Sequence, residues 1–167
     1  MKDMKSSFSV MIRFFLYTGG LAVVGLFLFS LHMFGFAELQ AGTAGRELVS
    51  VKIADTLYRC EAVRTPAAQK RGLSGRATFA PYDCMLFFMD TSAKHGFWMK
   101  DMRFPIDIIW IQDREIVDIS ARLPVPEPGK TLETYIPRKP ANIVMEVPAG
   151  FAQENGLHWG QELEIEK

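Results

Sequence analysis

The stretch Leu48-Val49-Ser50-Val51-Lys52-Ile53-Ala54-Asp55-Thr56-Leu57-Tyr58-Arg59-Cys60-Glu61-Ala62 alternates apolar and polar residues on both sides of Asp55-Thr56. Period-two alternation belongs to strands with one face buried, and the Asp-Thr pair supplies a turn, so the stretch reads as a β-hairpin. The chain leaves it through Thr65-Pro66, a capping residue followed by a residue suited to the first helical position. Gly72 is a natural stop, so a short helix is expected from Pro66 to about Arg71.

The rest of the C-terminal part continues in strands. Cys84 to Met89 is an apolar run suited to burial on both faces. Phe97–Asp101, Ile106–Gln112, Glu115–Ser120, Thr131–Ile136, Ile143–Val147 and Gln161–Ile165 read as further strands, with a helical turn before Asn155. Pro105 separates Phe97–Asp101 from Ile106–Gln112, because it cannot donate to a ladder. The expected fold is mostly β, a small barrel or sandwich of about seven to eight short strands with one or two short helices.

Upstream, no charge occurs between Arg13 and Glu38, leaving 24 residues from Phe14 to Ala37. As a helix they would span roughly 36 Å, enough to cross a hydrocarbon core of about 30 Å. Lys2, Lys5 and Arg13 precede the run against a single acid, Asp3, which leaves the N-terminus in the cytoplasm and sends the remainder across. The run exceeds the usual signal-peptide core and favours an anchor. Gly35-Phe36-Ala37 and Gly42-Thr43-Ala44 offer small residues for cleavage, so both readings stand. The expected organisation is a basic cytoplasmic tail (1–13), an anchor or signal peptide (14–37), a linker (38–46) and an extracytoplasmic domain (47–167). The domain would face outward from the cell membrane, on the periplasmic or extracellular side, or be exported if the signal is cut.

The whole chain carries 19 basic and 19 acidic residues. No excess positive charge is available to neutralise phosphates, so nucleic acid is not an expected partner. No His or Cys pair has metal-ligand spacing, and Gly72-Leu73-Ser74-Gly75 lacks the Lys-Ser/Thr ending of a phosphate loop; neither metal nor cofactor is expected. Cys60 and Cys84 could form a disulfide in an oxidising compartment if their Cα atoms lie within about 7 Å.

Several motifs resemble one family. Arg71-Gly72-Leu73-Ser74-Gly75-Arg76 is followed by Met85-Leu86-Phe87, Phe97-Trp98-Met99-Lys100, Met102 and Pro105-Ile106-Asp107-Ile108-Ile109. Val144-Met145-Glu146-Val147-Pro148-Ala149-Gly150 and Gly156 to Gly160 complete the series. In this order the chain is similar to the domain of unknown function 192 family over most of residues 48–165. The resemblance implies a compact, mostly β fold, often behind an export signal, and no established activity. Cys84, Asp101 and Gln161 depart from the Gly, Asn and Asp expected there.

Charged residues embedded in apolar strands need partners, because an isolated buried charge costs several kcal/mol. Lys100 and Asp107 are such residues, and Arg71, Arg76 and Glu146 are weighed with them. In one reading they pair with one another and hold the helix to the sheet, in a structural or protein-interaction domain with no small-molecule site. In the other, Arg71, Arg76 and Lys100 line a pocket for an anionic or carbohydrate-like ligand, with Trp98 as a stacking wall and Asp107 and Glu146 among the binding residues. A third reading makes Asp107 and Glu146 an acid/base pair of an envelope hydrolase, which requires the two carboxyls to flank one groove.

Overall fold

The computed structural model describes residues 46–166, so the expected anchor or signal at 14–37 lies outside the described residues. Among the described residues no helix is long and apolar enough to cross a membrane.

The expected hairpin forms from β1 (Leu48–Ile53) and β2 (Thr56–Val63). Ala54 makes the turn in the left-handed region at φ 52. Helix α1 (Pro66–Arg71) starts where predicted, with the Thr65 side chain accepting from the Ala68 N–H. Then come β3 (Cys84–Ala93), β4 (Phe97–Trp98), β5 (Ile106–Gln112), β6 (Glu115–Leu123), β7 (Thr134–Tyr135), β8 (Ala141–Pro148), α2 (Phe151–Glu154) and β9 (Glu164–Glu166).

The mostly β class is as expected, but the arrangement is not a sandwich. One sheet of seven strands, in the order β6-β5-β8-β3-β2-β1-β9, curls into a half-barrel, and β4 and β7 form a separate two-stranded sheet. The C-terminal segment joins the edges of the large sheet. Residues 160–163 exchange backbone hydrogen bonds with Arg114 and Ile116 at the start of β6, and residues 164–166 pair with β1. All pairings in the large sheet are antiparallel except β2 with β3.

Three expected strands shorten. Phe97–Asp101 keeps only two paired residues because the chain turns at once: the Met102 N–H donates to the Met99 carbonyl, and Asp101 adopts φ 56. Asp and Asn tolerate that left-handed region better than most residues, which accounts physically for an Asp here. Thr131–Ile136 pairs only at Thr134–Tyr135, before Pro137, which has no N–H to give. The last strand pairs with β1 at 164–166 rather than along 161–165.

The central strands are buried on both faces. One core contains Val49, Val51, Leu86, Ile109, Ile111, Met145 and Val147, capped by Phe151 and Ala152 of α2. The other contains Met85, Phe87, Ile108, Trp110 and Val144, and is covered by Leu73, Met99, Met102, Phe97 and Ala68 of α1. Successive residues of β3, β5 and β8 alternate between these cores, as the pleat requires.

Cys60 and Cys84 lie opposite each other in the parallel pair, with Cα atoms 4.4 Å apart, and are joined by a disulfide. The bridge closes a loop between residues 24 apart in sequence. Replacing both cysteines with Ser is expected to lower unfolding stability by about 3 kcal/mol, through the regained entropy of the unfolded loop. Denaturant titration of the variant against the parent measures it, and an unchanged midpoint would show that the bridge contributes nothing.

Candidate functional site

The register decides what the charged candidates can do together. In the β5–β8 pair, Asp107 lies opposite Val147 and Ile108 opposite Glu146. Asp107 therefore shares a face with Val147, and Glu146 shares one with Ile108. The two carboxylates project from opposite faces of one sheet and cannot flank a single groove. That removes the geometry the hydrolase reading requires.

Asp107 is answered by backbone. A bulge in β6 inserts an extra residue between the partners of Ile106 and Ile108, leaving Arg122 at φ 53 with its N–H free of the ladder. That N–H donates to Asp107 Oδ1 at 2.7 Å. Gly150, at φ 94 and thus in a conformation suited to glycine, donates to both carboxylate oxygens at 3.1 Å, and Ala152 donates at 2.9 Å. A single buried carboxylate thus ties the β6 bulge to the start of α2.

On the other face a row crosses the sheet: Glu61 of β2 opposite Met85 of β3, then Glu146 of β8, then Ile108 of β5. Arg76, in the layer that covers this face, makes a two-pronged bond to Glu61 at 2.7 and 2.9 Å, and Arg46 adds a third contact at 3.0 Å. Burial alone would raise the Glu61 pKa. The hydrogen bonds and charge of Arg76, then those of Arg46, outweigh it and hold the carboxyl below its usual range.

Glu146 has no such partner. It is buried, and its Oε2 finds no hydrogen-bond partner among the described residues. Burial pushes its pKa up to about 8, against a smaller downward pull from the charge of Arg76. Its carboxyl is therefore neutral at pH 7, a hydrogen-bond donor as well as an acceptor.

Glu146 lines a cavity of about 280 Å³ between the sheet and its covering layer. The apolar walls are Leu73, Phe87, Met89, Phe97, Trp98 and Met102, and Gly96 brings the backbone close. Phe97 meets Phe87 and Trp110 edge to face at 5.1 and 5.3 Å, which fixes its ring. Gln69, Lys70, Arg71 and Ser74 are its other polar lining residues. Lys70, Arg71 and Trp98 are exposed and stand at the mouth. Two polar side chains of the lining are already committed: Gln69 Nε2 donates to the Phe88 carbonyl at 2.8 Å, and the Ser74 hydroxyl donates to the Lys100 carbonyl at 2.8 Å.

Of the six candidate ligand-binding residues, Arg71, Trp98 and Glu146 line this one cavity. Arg76 is bound to Glu61 and reaches Glu146 only through its charge. Lys100 lies at the turn after β4, exposed and outside the lining, and Asp107 lies on the opposite face. Sequence reasoning missed Glu61, because the alternation of β2 assigns it to a solvent face that is in fact covered. It also missed Asp118, a buried carboxylate that accepts from the Arg138 backbone and guanidinium at 2.7–2.9 Å and anchors the segment before β8. Among the described residues no group of His, Cys, Asp or Glu could hold a metal ion.

Two measurements follow from these carboxyls. Asp107→Ala leaves three backbone N–H groups without their acceptor and is expected to lose on the order of 3 kcal/mol of stability, read by denaturant unfolding. A loss below 1 kcal/mol would contradict the role given to Asp107. Glu146 has a folded-state pKa near 8, above the 4.5 of the ordinary group. Between these values the unfolded chain releases a proton that the folded chain keeps. The stability owed to this group is therefore full below pH 4.5 and declines until pH passes about 8. Melting profiles across this window should fall more steeply for the parent than for Glu146→Gln, and parallel profiles would refute the burial argument.

The comparisons agree with this architecture. The DUF192 family, described as "Uncharacterized ACR", matches residues 48–165. No curated protein matches the chain. A protein of unknown function from Novosphingobium aromaticivorans DSM 12444 has a similar structure, with a TM-score of 0.60 and 27% identity over 73% of this chain and 88% of its own. A Sinorhizobium meliloti 1021 protein, provisionally described as a transcription regulator, is alike at a TM-score of 0.60 and 27% identity, covering 72% of this chain and 94% of its own. With a family match that runs from the first strand to the last and takes in every element around the cavity, this chain belongs to the DUF192 family.

Proposed function

We propose that the domain is a small-ligand binding module, that its site is the cavity containing Glu146, and that it works on the outer side of the cell membrane. The observation that carries the reading is the buried Glu146 oxygen without a partner, set in the wall of a cavity large enough for a ligand. Benzene occupies a dry cavity of roughly 150 Å³, so about 280 Å³ leaves room for a ring with substituents. The exposed Lys70 and Arg71 at the mouth favour an anionic ligand, and the face of Trp98 favours a flat or carbohydrate-like one.

The outward location is supported by the charge-free run 14–37 with its basic N-terminal flank, and by the disulfide, which persists in oxidising compartments. The provisional description of the Sinorhizobium relative finds no support in the charge balance here, since the described domain offers no excess of basic residues. A purely structural role fits Glu61, Asp107 and Asp118, whose hydrogen bonds are satisfied within the protein. It does not account for Glu146.

Thermal melts of the full chain in lipid nanodiscs, across organic anions, sugars and amines, test the reading. A ligand at about 100 times its dissociation constant should add roughly 2.7 kcal/mol, a rise of several degrees in Tm. Trp98→Ala and Glu146→Leu should remain folded and lose the rise. If no compound moves the parent's midpoint, the binding reading fails.

A further inference from the structure

The cavity has two chemically distinct ends. Glu146 is the one acidic residue of the lining, and Lys70 and Arg71 are its basic ones. The buried end holds a carboxyl whose Oε2 has no hydrogen-bond partner among the described residues. The exposed end offers two cations in water. Between them the walls are apolar and aromatic. A ligand that satisfies all three zones carries a negative charge at one end, an apolar ring-sized body, and an oxygen at the other end.

From this juxtaposition we infer that the site takes a small, ring-bodied organic acid, its carboxylate held at the mouth by Lys70 and Arg71, its ring against Phe97 and Trp98, and an acceptor oxygen bound by the carboxyl of Glu146. The inference rests on the binding reading above and names the ligand class for it.

Three alternatives fit less well. An amine would pair with an ionised Glu146, but it would have to pass Lys70 and Arg71 and displace a proton from a buried acid. The charge of Arg76 also lies on this side of the sheet and opposes a cation. A neutral sugar needs several hydrogen-bonding partners, yet Ser74 gives its hydroxyl proton and Gln69 one of its two amide N–H donors to protein carbonyls. A purely aliphatic acid would leave the Glu146 oxygen without a partner.

The charged groups that bear on Glu146 are few. Arg76 is engaged by Glu61, which Arg46 also holds, and Lys70 and Arg71 stand at the mouth. The acid is kept neutral by burial, and none of these residues forms an ion pair with it. In that form it donates to an acceptor oxygen. Once ionised it has no proton to give and repels the same oxygen. Binding is therefore expected to weaken once Glu146 ionises.

Titration calorimetry on the full chain in nanodiscs, from pH 6 to pH 9.5, tests this with four probes: 4-acetylbenzoate, 4-ethylbenzoate, benzylamine and methyl β-glucoside. The first should bind. The second lacks the oxygen and should bind about tenfold more weakly, the loss expected for one hydrogen bond to a buried group. Affinity for 4-acetylbenzoate should fall by up to tenfold per pH unit once Glu146 ionises. Glu146→Gln keeps a donor of similar shape, so it should bind at pH 7 and lose the pH dependence. A folded Lys70→Ala/Arg71→Ala double variant should bind more weakly, with a flatter salt dependence. Equal affinity for the acetyl and ethyl compounds, or an unaltered pH profile in Glu146→Gln, overturns the role of Glu146. Binding of benzylamine or the glucoside in place of 4-acetylbenzoate overturns the ligand class and leaves the binding module standing. Silence from all four probes also overturns the class, while the wider melting panel decides separately whether the cavity binds anything.

Discussion

Strands β3, β5 and β8 are covered on both faces, and every polar residue within them must be answered by whatever lies above or below. This constraint organises the rest of the domain. The bulge in β6 and the left-handed turn at Gly150 bring backbone donors to Asp107. On the other face, the segment after α1 delivers Arg76 across the sheet to Glu61. Each arrangement costs local regularity and recovers it in hydrogen bonds to a buried carboxylate, the stronger kind. Glu146 is subject to the same constraint and is left unanswered.

The reason lies in the geometry of the covering layer. Arg76 has one guanidinium, and two of its nitrogens are already aligned with the two oxygens of Glu61. That fork uses two of the five guanidinium N–H donors, and none of the others bonds Glu146 Oε2. The covering layer also stands off from the sheet beside Glu146, where Leu73, Phe97 and Met102 line the cavity rather than close it. The rings of Phe87, Phe97 and Trp110 brace one another edge to face, so that wall holds its shape without filling the space. A wall of this kind is preformed, and a preformed wall lowers the ordering cost of binding.

Much of this fold was legible before any coordinates. Alternation exposed the strands because half-burial leaves a period of two, and Thr65, Pro66 and Gly72 marked α1 because their backbone preferences are local. The half-barrel was not legible, since which edges meet depends on pairings far apart in sequence, such as Arg114 with Leu163. The site was legible in part. Arg71, Trp98 and Glu146 stand out as charged or aromatic residues in apolar company, and they do share the cavity. The fate of Asp107 was hidden, because its partners are backbone N–H groups created by a bulge and a turn, and backbone donors leave no residue-type signature. Glu61 was hidden for a different reason. Alternation shows that a strand has two faces but not whether the polar one reaches water.

The remaining question is why an unanswered carboxyl stands on a strand whose neighbours are otherwise chosen for packing. Two residues earlier on the same face, Val144 fills the core with no polar atom to satisfy. An unpaired buried oxygen costs about 1–3 kcal/mol, a sizeable fraction of the 5–15 kcal/mol that holds a typical domain together. A group enclosed by packing would bear that cost permanently. This one stands in a cavity wall, where the proposed ligand would answer it. An organic molecule needs only one hydrogen bond at that end, provided its body suits the aromatic walls. On the proposed binding reading, these features favour a ligand with an oxygen at its inner end and an apolar body behind it.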